Sequence, residues 1–224
     1  MLFLIGLISC EAQKLEGVWL DYNPREFIHD SIHGITSGTE GFFIDFDNHR
    51  LGMLGADSTA KVQIDYDNQI LKALYHDEFE LTFSTLNQDS VEIDMGENVM
   101  HVFRKLDLSH KTGLTKEEIT QFLGQKCIDS VQGYKLDFTL EQFYRDKFLE
   151  LPHRRNNLWN HNREDFGFWI VDKYMGNAFL VFSIGQTERK NIFQIVSISD
   201  SEIELKHLQE DGILKTVQKL KTCQ

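Results

Sequence analysis

From Leu15 onward the chain is built of short runs in which apolar and polar residues alternate. Successive side chains of a strand point to opposite faces, so each such run reads as a strand with one face turned to a core. The pattern predicts strands over residues 15–22, 41–46, 49–54, 61–66, 70–75, 78–85, 90–95 and 99–106. Turn residues separate them, and two connections carry an Asp-Asn pair, Asp47-Asn48 and Asp67-Asn68. Both residue types tolerate the left-handed backbone that tight hairpins require. Short strands joined by short turns are the mark of a meandering antiparallel sheet.

The period changes between Ser109 and Gly124. Thr115 followed by Glu118 makes a capping box, and Leu114, Ile119, Phe122 and Leu123 share one face of a short helix ended by Gly124. Strands then resume, and the second half echoes the first. Gly41-Phe42-Phe43-Ile44-Asp45 is matched by Gly167-Phe168-Trp169-Ile170-Val171-Asp172. The ending Asp89 to Ile93 followed by Arg104-Lys105-Leu106 parallels Asp200 to Glu204 followed by Gln218-Lys219-Leu220. Self-similar halves predict an internal duplication, with generic meander similarity as the alternative. One long stretch, residues 148–165, lacks the alternation and reads as a functional loop or a short helix across a barrel mouth.

Hydrophobic residues make up 41% of the 224-residue chain and only 2 residues are Pro, enough apolar material for packed cores. The formal charge of −12 is uneven. Residues 14–107 hold 7 basic and 18 acidic side chains, whereas residues 108–224 hold 16 of each. Nucleic-acid binding relies on Lys and Arg neutralising phosphate, so the acidic first half excludes nucleic acid as a partner.

The first residues read as an export signal. Leu2 to Ile8 is an unbroken apolar run too short to span a bilayer, and it ends in Leu7-Ile8-Ser9-Cys10. That tetrapeptide resembles a bacterial lipobox, although no Lys or Arg precedes the run. The resemblance implies that Cys10 becomes the lipidated mature N-terminus, tethering the protein to a bilayer in the bacterial cell envelope. Glu11, where inner-membrane lipoproteins carry Asp, implies the outer membrane. Cleaved, non-lipidated secretion and a buried apolar strand are the alternatives.

Gly17-Val18-Trp19 in the first strand is similar to the Gly-x-Trp that opens lipocalins and lipocalin-like bacterial lipoproteins. By that resemblance Gly17 relieves crowding at the barrel entrance, Trp19 plugs the closed end, and Arg104 packs over Trp19 as a cation. The expected fold is all-β: two tandem small antiparallel up-and-down barrels, lipocalin-like, joined by a short helix. Residues 1–13 would be signal and tether, 14–107 the first barrel, and 112–224 the second with its N-terminal helix. In the second unit Lys126 stands where the Trp is expected. Closing the implied second barrel brings its first and last strands together, so Cys127 and Cys223 are expected to pair in an oxidising compartment. By loop entropy such a bond adds roughly 4 to 5 kcal/mol for a loop of about 100 residues.

Asp45, Asp47, Asn48 and Asp65, Asp67, Asn68 offer oxygens at alternate positions, as calcium requires, but the Gly and distal Glu of a calcium loop are missing, and hairpin turns explain both groups. His29 and His33 have helical spacing for a metal pair, yet Gly34, Ser37 and Gly38 predict a loop, so no metal site is assigned. No Gly-x-Ser-x-Gly occurs and no cofactor motif is present, so no catalytic residue is assigned. The aromatic group Trp159, Phe166, Phe168, Trp169, Tyr174, Phe179 and Phe182 reads mainly as core, with alternate members inward. Trp159, with Arg155 and His161 nearby in a polar stretch, and Trp169 are the candidates for ligand contact. The resemblance implies a small hydrophobic or amphipathic ligand; the alternative is a non-catalytic interaction module of an envelope complex.

Overall fold

The computed structural model describes residues 14–21, 41–55, 59–74, 78–94, 100–131, 134–142, 156–160, 165–184, 191–208 and 215–222. Eight strands form the first unit: β1 (Val18–Asp21), β2 (Phe42–Asp45), β3 (Arg50–Met53), β4 (Thr59–Asp65), β5 (Ile70–Leu74), β6 (Glu78–Asn87), β7 (Ser90–Asp94) and β8 (Met100–Lys105). Helix α1 (Lys116–Leu123) follows, and then β9 (Lys126–Val131), β10 (Tyr134–Gln142), β11 (Asn156–Asn160), β12 (Asp165–Tyr174), β13 (Asn177–Ile184), β14 (Asn191–Ile198), β15 (Glu202–His207) and β16 (Lys215–Thr222). Each strand pairs antiparallel with its chain neighbours. Both meanders close, β1 onto β8 and β9 onto β16, giving two tandem eight-stranded barrels.

Eight strands enclose an interior just wide enough for side chains to fill. In the first barrel Trp19, Ile44, Phe46, Leu71, Phe83, Val91, Ile93 and Phe103 belong to that filling. The strands away from the second barrel show the simple alternation, as in β5, where Leu71 and Ala73 are buried, and β7, where Val91 and Ile93 are. Strand β1 departs from it, because all four of its residues are buried.

The departure has one cause: the outer faces of the two barrels pack together. Trp19 points into the first barrel, while Val18 and Leu20, on the other face of β1, join Phe43, Leu54, Phe179, Val181, Ile192 and Leu208 in a separate buried cluster. The same split divides β13, with Ala178, Leu180 and Phe182 in the second barrel's core and Phe179 and Val181 in the seam. Two glycines let the walls approach. At Gly55 (φ +86°) a Cβ would lie 2.4 Å from Ile170 Cδ1, and at Gly41 (φ +88°) 2.9 Å from Ile192 Cδ1. Polar bonds close the seam, the Gly55 amide donating to Asp172 Oδ2 at 2.6 Å and the Tyr174 hydroxyl to Asp45 Oδ2. Burial, and then the Asp45 carboxylate, push the Tyr174 hydroxyl well above the usual tyrosine range.

The helix forms where its capping box predicts. Thr115 Oγ1 accepts from the Glu118 amide at 3.1 Å, and Glu118 Oε2 accepts from the Thr115 amide at 2.7 Å. Gly124 is the C-cap, but with φ −63° it is right-handed, and its amide donates to the Thr120 carbonyl at 2.9 Å. Ile119 and Leu123 are fully buried and Phe122 packs beside them, whereas Leu114, ahead of the cap, is 38% exposed. The helix is therefore a plug on the second barrel, not a spacer. The preceding segment is held to that barrel by Asn177 Nδ2, which donates to the Leu108 carbonyl at 2.9 Å, and by Gln194 Nε2, which donates to the Asp107 carbonyl at 2.7 Å.

The two sequence echoes fare differently. The shared endings occupy the seventh and eighth strands of each barrel, β7 and β8 against β15 and β16. The Gly41 and Gly167 stretches do not correspond, because one is the second strand of its barrel and the other the fourth. Both are rich in aromatic and branched residues because both form walls of the seam and so bury two faces.

Candidate functional site

The long irregular stretch is not one loop. Strand β11 lies inside it, and Trp159 is a strand residue paired with Asp137 and with Phe166. The polar residues Asn156, Asn157 and Asn160 that obscured the strand in the sequence are themselves ladder positions. Arg155 and His161 lie outside the described residues, as do Cys10, His29 and His33. Trp169 is fully buried in the second barrel's core, its ring edge-on to Phe138 at 5.1 Å between centroids. Cys127 is disulfide-bonded and lies opposite Lys221 in the β9–β16 pairing; Cys223 is outside the described residues.

Trp19 is 1% exposed at one end of the first barrel, donating from Nε1 to the Glu16 carbonyl at 3.0 Å and edge-on to Phe46. The entering chain is tied at this end. The Tyr66 hydroxyl donates to the Leu15 carbonyl at 3.1 Å, and the Gly17 amide to Asp47 Oδ1 at 2.9 Å. Arg104 does not face Trp19. It pairs with Leu20, on the outward face, and is exposed. The cation across from Trp19 is the next residue, Lys105, and a Cβ at Gly17 would sit 2.9 Å from its Cε. A one-residue difference in register exchanges the faces, which explains the reassignment.

The turn carboxylates bind their own hairpins. Asp45 Oδ1 and Oδ2 accept from the Asn48 amide and Nδ2 at 2.9 and 2.8 Å, and Asp65 accepts from Asn68 at 3.0 and 2.8 Å. The left-handed residue comes one place after each Asn, at His49 (φ 52°) and Gln69 (φ 57°). The Asn68 side chain first, and then its amide, hold the exposed Asp65 carboxyl below the usual aspartate range. A depressed folded pKa means that the turn's contribution is present above the ordinary aspartate pKa and is lost as pH falls through the lowered one. Followed by carboxyl-carbon NMR, Asp65 is expected to titrate below ordinary aspartates, and Asn68→Ala to return its midpoint upward. An unmoved midpoint would contradict the assignment.

The buried polar pair that sequence reasoning misses is Asp21 and His101. Asp21 follows Val18, Trp19 and Leu20 on β1 and shares the inward face with Trp19; His101 shares the inward face of β8 with Phe103. His101 Nδ1 lies 2.8 Å from Asp21 Oδ2, with side-chain exposures of 6% and 3%. A carboxylate accepting from Nδ1 fixes the ring's orientation and directs Nε2 elsewhere, the arrangement used to position imidazoles in general. The available signal was parity, since an acid and an imidazole both fell on inward faces of predicted strands. Their 80-residue separation hid the pairing.

The register also orders the barrel ends. Asp45 and Trp19 lie at one end of the first barrel, which we call the Trp19 end, while Asp21, Phe42, Leu74, Phe79 and Met100 lie at the other, the Asp21 end. Across the seam Asp45 bonds Tyr174 and Gly55 bonds Asp172, both toward the α1 end of the second barrel, while Gly41 meets Ile192 toward its opposite end. On the outer wall of β4 to β6, a shallow open depression of about 660 Å³ is lined by Gln63, Asp65, Asp67, Ile70, Lys72 and Glu80 among others. Among the described residues no group of three His, Cys, Asp or Glu side chains is placed to hold a metal ion. No helix among them is long and apolar enough to cross a membrane. No protein-family model matches the chain, and no curated protein or solved structure matches it either.

Proposed function

We propose that this chain is a lipocalin-like lipoprotein of the bacterial envelope, anchored through Cys10 in the outer membrane, that serves as a non-catalytic interaction module. The observation that carries the interaction reading is the filling of both barrels by large side chains. Trp19, Phe46 and Phe103 in the first, and Trp169, Phe138 and Phe182 in the second, are each no more than 1% exposed. Side chains packed to that degree occupy the space that a carrier of small molecules gives to its ligand. Recognition then falls to outer surfaces, where the acidic first unit favours a partner with a basic face and disfavours nucleic acid.

A small hydrophobic or amphipathic ligand is the second reading. Phe79 favours it, lying on the inward side of β6 at the Asp21 end and 39% exposed. Native mass spectrometry of protein extracted from membranes separates the two. The interaction reading expects an acyl mass on the N-terminal peptide, no retained small molecule, and a protein partner captured by cross-linking before extraction. A hydrophobic small molecule retained at one per chain would replace the first reading by the second.

A further inference from the structure

We infer that the segment between β8 and α1 is fastened to the second barrel through a binding site for one water molecule, formed by Gln194, Lys206 and Asp107. The site begins from a buried polar atom whose orientation is fixed. Asn177 Nδ2 donates to the carbonyls of Leu108 and Met175 at 2.9 and 3.4 Å, which settles which end of that carboxamide is the oxygen. Its Oδ1 accepts from Gln194 Nε2 at 3.0 Å, and the Asp107 carbonyl accepts from the same nitrogen at 2.7 Å. Exchanging nitrogen and oxygen in Gln194 would set its oxygen against two acceptors, so the orientation is determined by its neighbours. Gln194 Oε1 is thereby left in a fully buried side chain with no hydrogen-bond partner among the described residues. Buried carboxamide oxygens in folded proteins are satisfied by protein donors or by ordered water.

An ammonium stands beside it. Lys206 is the cross-strand partner of Gln194, which puts the two side chains side by side on the outer wall of the barrel. Its side chain is 11% exposed, and Asp107 Oδ2 lies 3.7 Å from Nζ, beyond hydrogen-bond length. The ammonium brings only donors, whereas the Gln194 oxygen and the Asp107 carboxylate bring only acceptors. A ligand among them must donate to the oxygens and accept from the nitrogen. A simple anion accepts only, and a cation would face Lys206; water does both with one heavy atom. Donating to Gln194 Oε1 and Asp107 Oδ2 and accepting from Lys206 Nζ gives it about three bonds, the usual number for a buried water. The water ties Asp107 to β14 and β15, in the segment whose Leu106 and Leu108 pack on the seam.

The test is a crystal structure of the full chain at a resolution that shows ordered waters, with a second of Lys206→Met, which keeps most of the side chain's length and removes the ammonium. The parent should show one solvent peak within about 2.5 to 3.2 Å of both Gln194 Oε1 and Lys206 Nζ. The variant should show that peak at less than half the parent's occupancy or not at all. A parent in which Nζ bonds Oε1 directly, or in which no such peak lies between them, overturns the site, and this result stands on its own should the variant fail to fold. A variant that keeps the peak at half the parent's occupancy or more overturns the part given to Lys206, and the site with it.

Discussion

Phe179→Ala is expected to cost about 3 to 5 kcal/mol, the range for removing a buried Phe from a packed core. For a chain of this length each kcal/mol lowers Tm by about 2 to 4 °C, so the fall should exceed about 6 °C. Phe179 points out of its own barrel and would be a surface residue if the barrels stood apart. In the structure it is fully buried between them. The damage should also be specific in kind. Because the seam couples the barrels, the parent should unfold in one transition, and the variant should show the barrels melting at separate temperatures by calorimetry. A shift under about 2 °C with an unchanged single transition would mean that Phe179 is not enclosed by the first barrel.

Trp169→Ala should destabilise to a similar extent, about 3 to 5 kcal/mol, since it empties the centre of the second barrel beside Phe138. Trp169→Phe, which refills most of the volume, should recover most of that loss by denaturant titration. A Trp lining a ligand pocket behaves differently, because its truncation enlarges an existing space at small cost to stability. An Ala variant as stable as the parent would return Trp169 to the ligand-binding candidates and weaken the interaction reading.

Alternation made the first barrel legible, since its strands end within a few residues of where the pattern places them. The capping box did the same for α1, because a local pair of hydrogen bonds depends only on residues three apart. Nonlocal features were hidden. Val18, Leu20, Phe179 and Val181 interrupt the alternation because a second surface covers the outer face, and a single chain of letters does not say which surface. Strand β11 escaped notice because Asn156, Asn157 and Asn160 favour turns in isolation and were recruited by the ladder on either side. The assignment of Arg104 followed a family pattern whose register this barrel does not share, and Lys105 takes the inward place. Asp21 and His101 each looked ordinary until the closure of β1 on β8 set them side by side.

The account depends on the two barrels being packed along a buried seam, and the tight approach of Gly55 to Ile170 in that seam offers the most direct measurement. A Cβ placed on Gly55 would come within 2.4 Å of Ile170 Cδ1, so the glycine's α-protons must touch that methyl group. A nuclear Overhauser experiment on methyl-labelled protein should show a strong cross-peak from the Gly55 α-protons to the Ile170 δ1 methyl, and another from Gly41 to Ile192. Absence of both, in spectra where contacts within each barrel are plain, would mean that the halves stand apart, and the seam and the coupled unfolding would fall together.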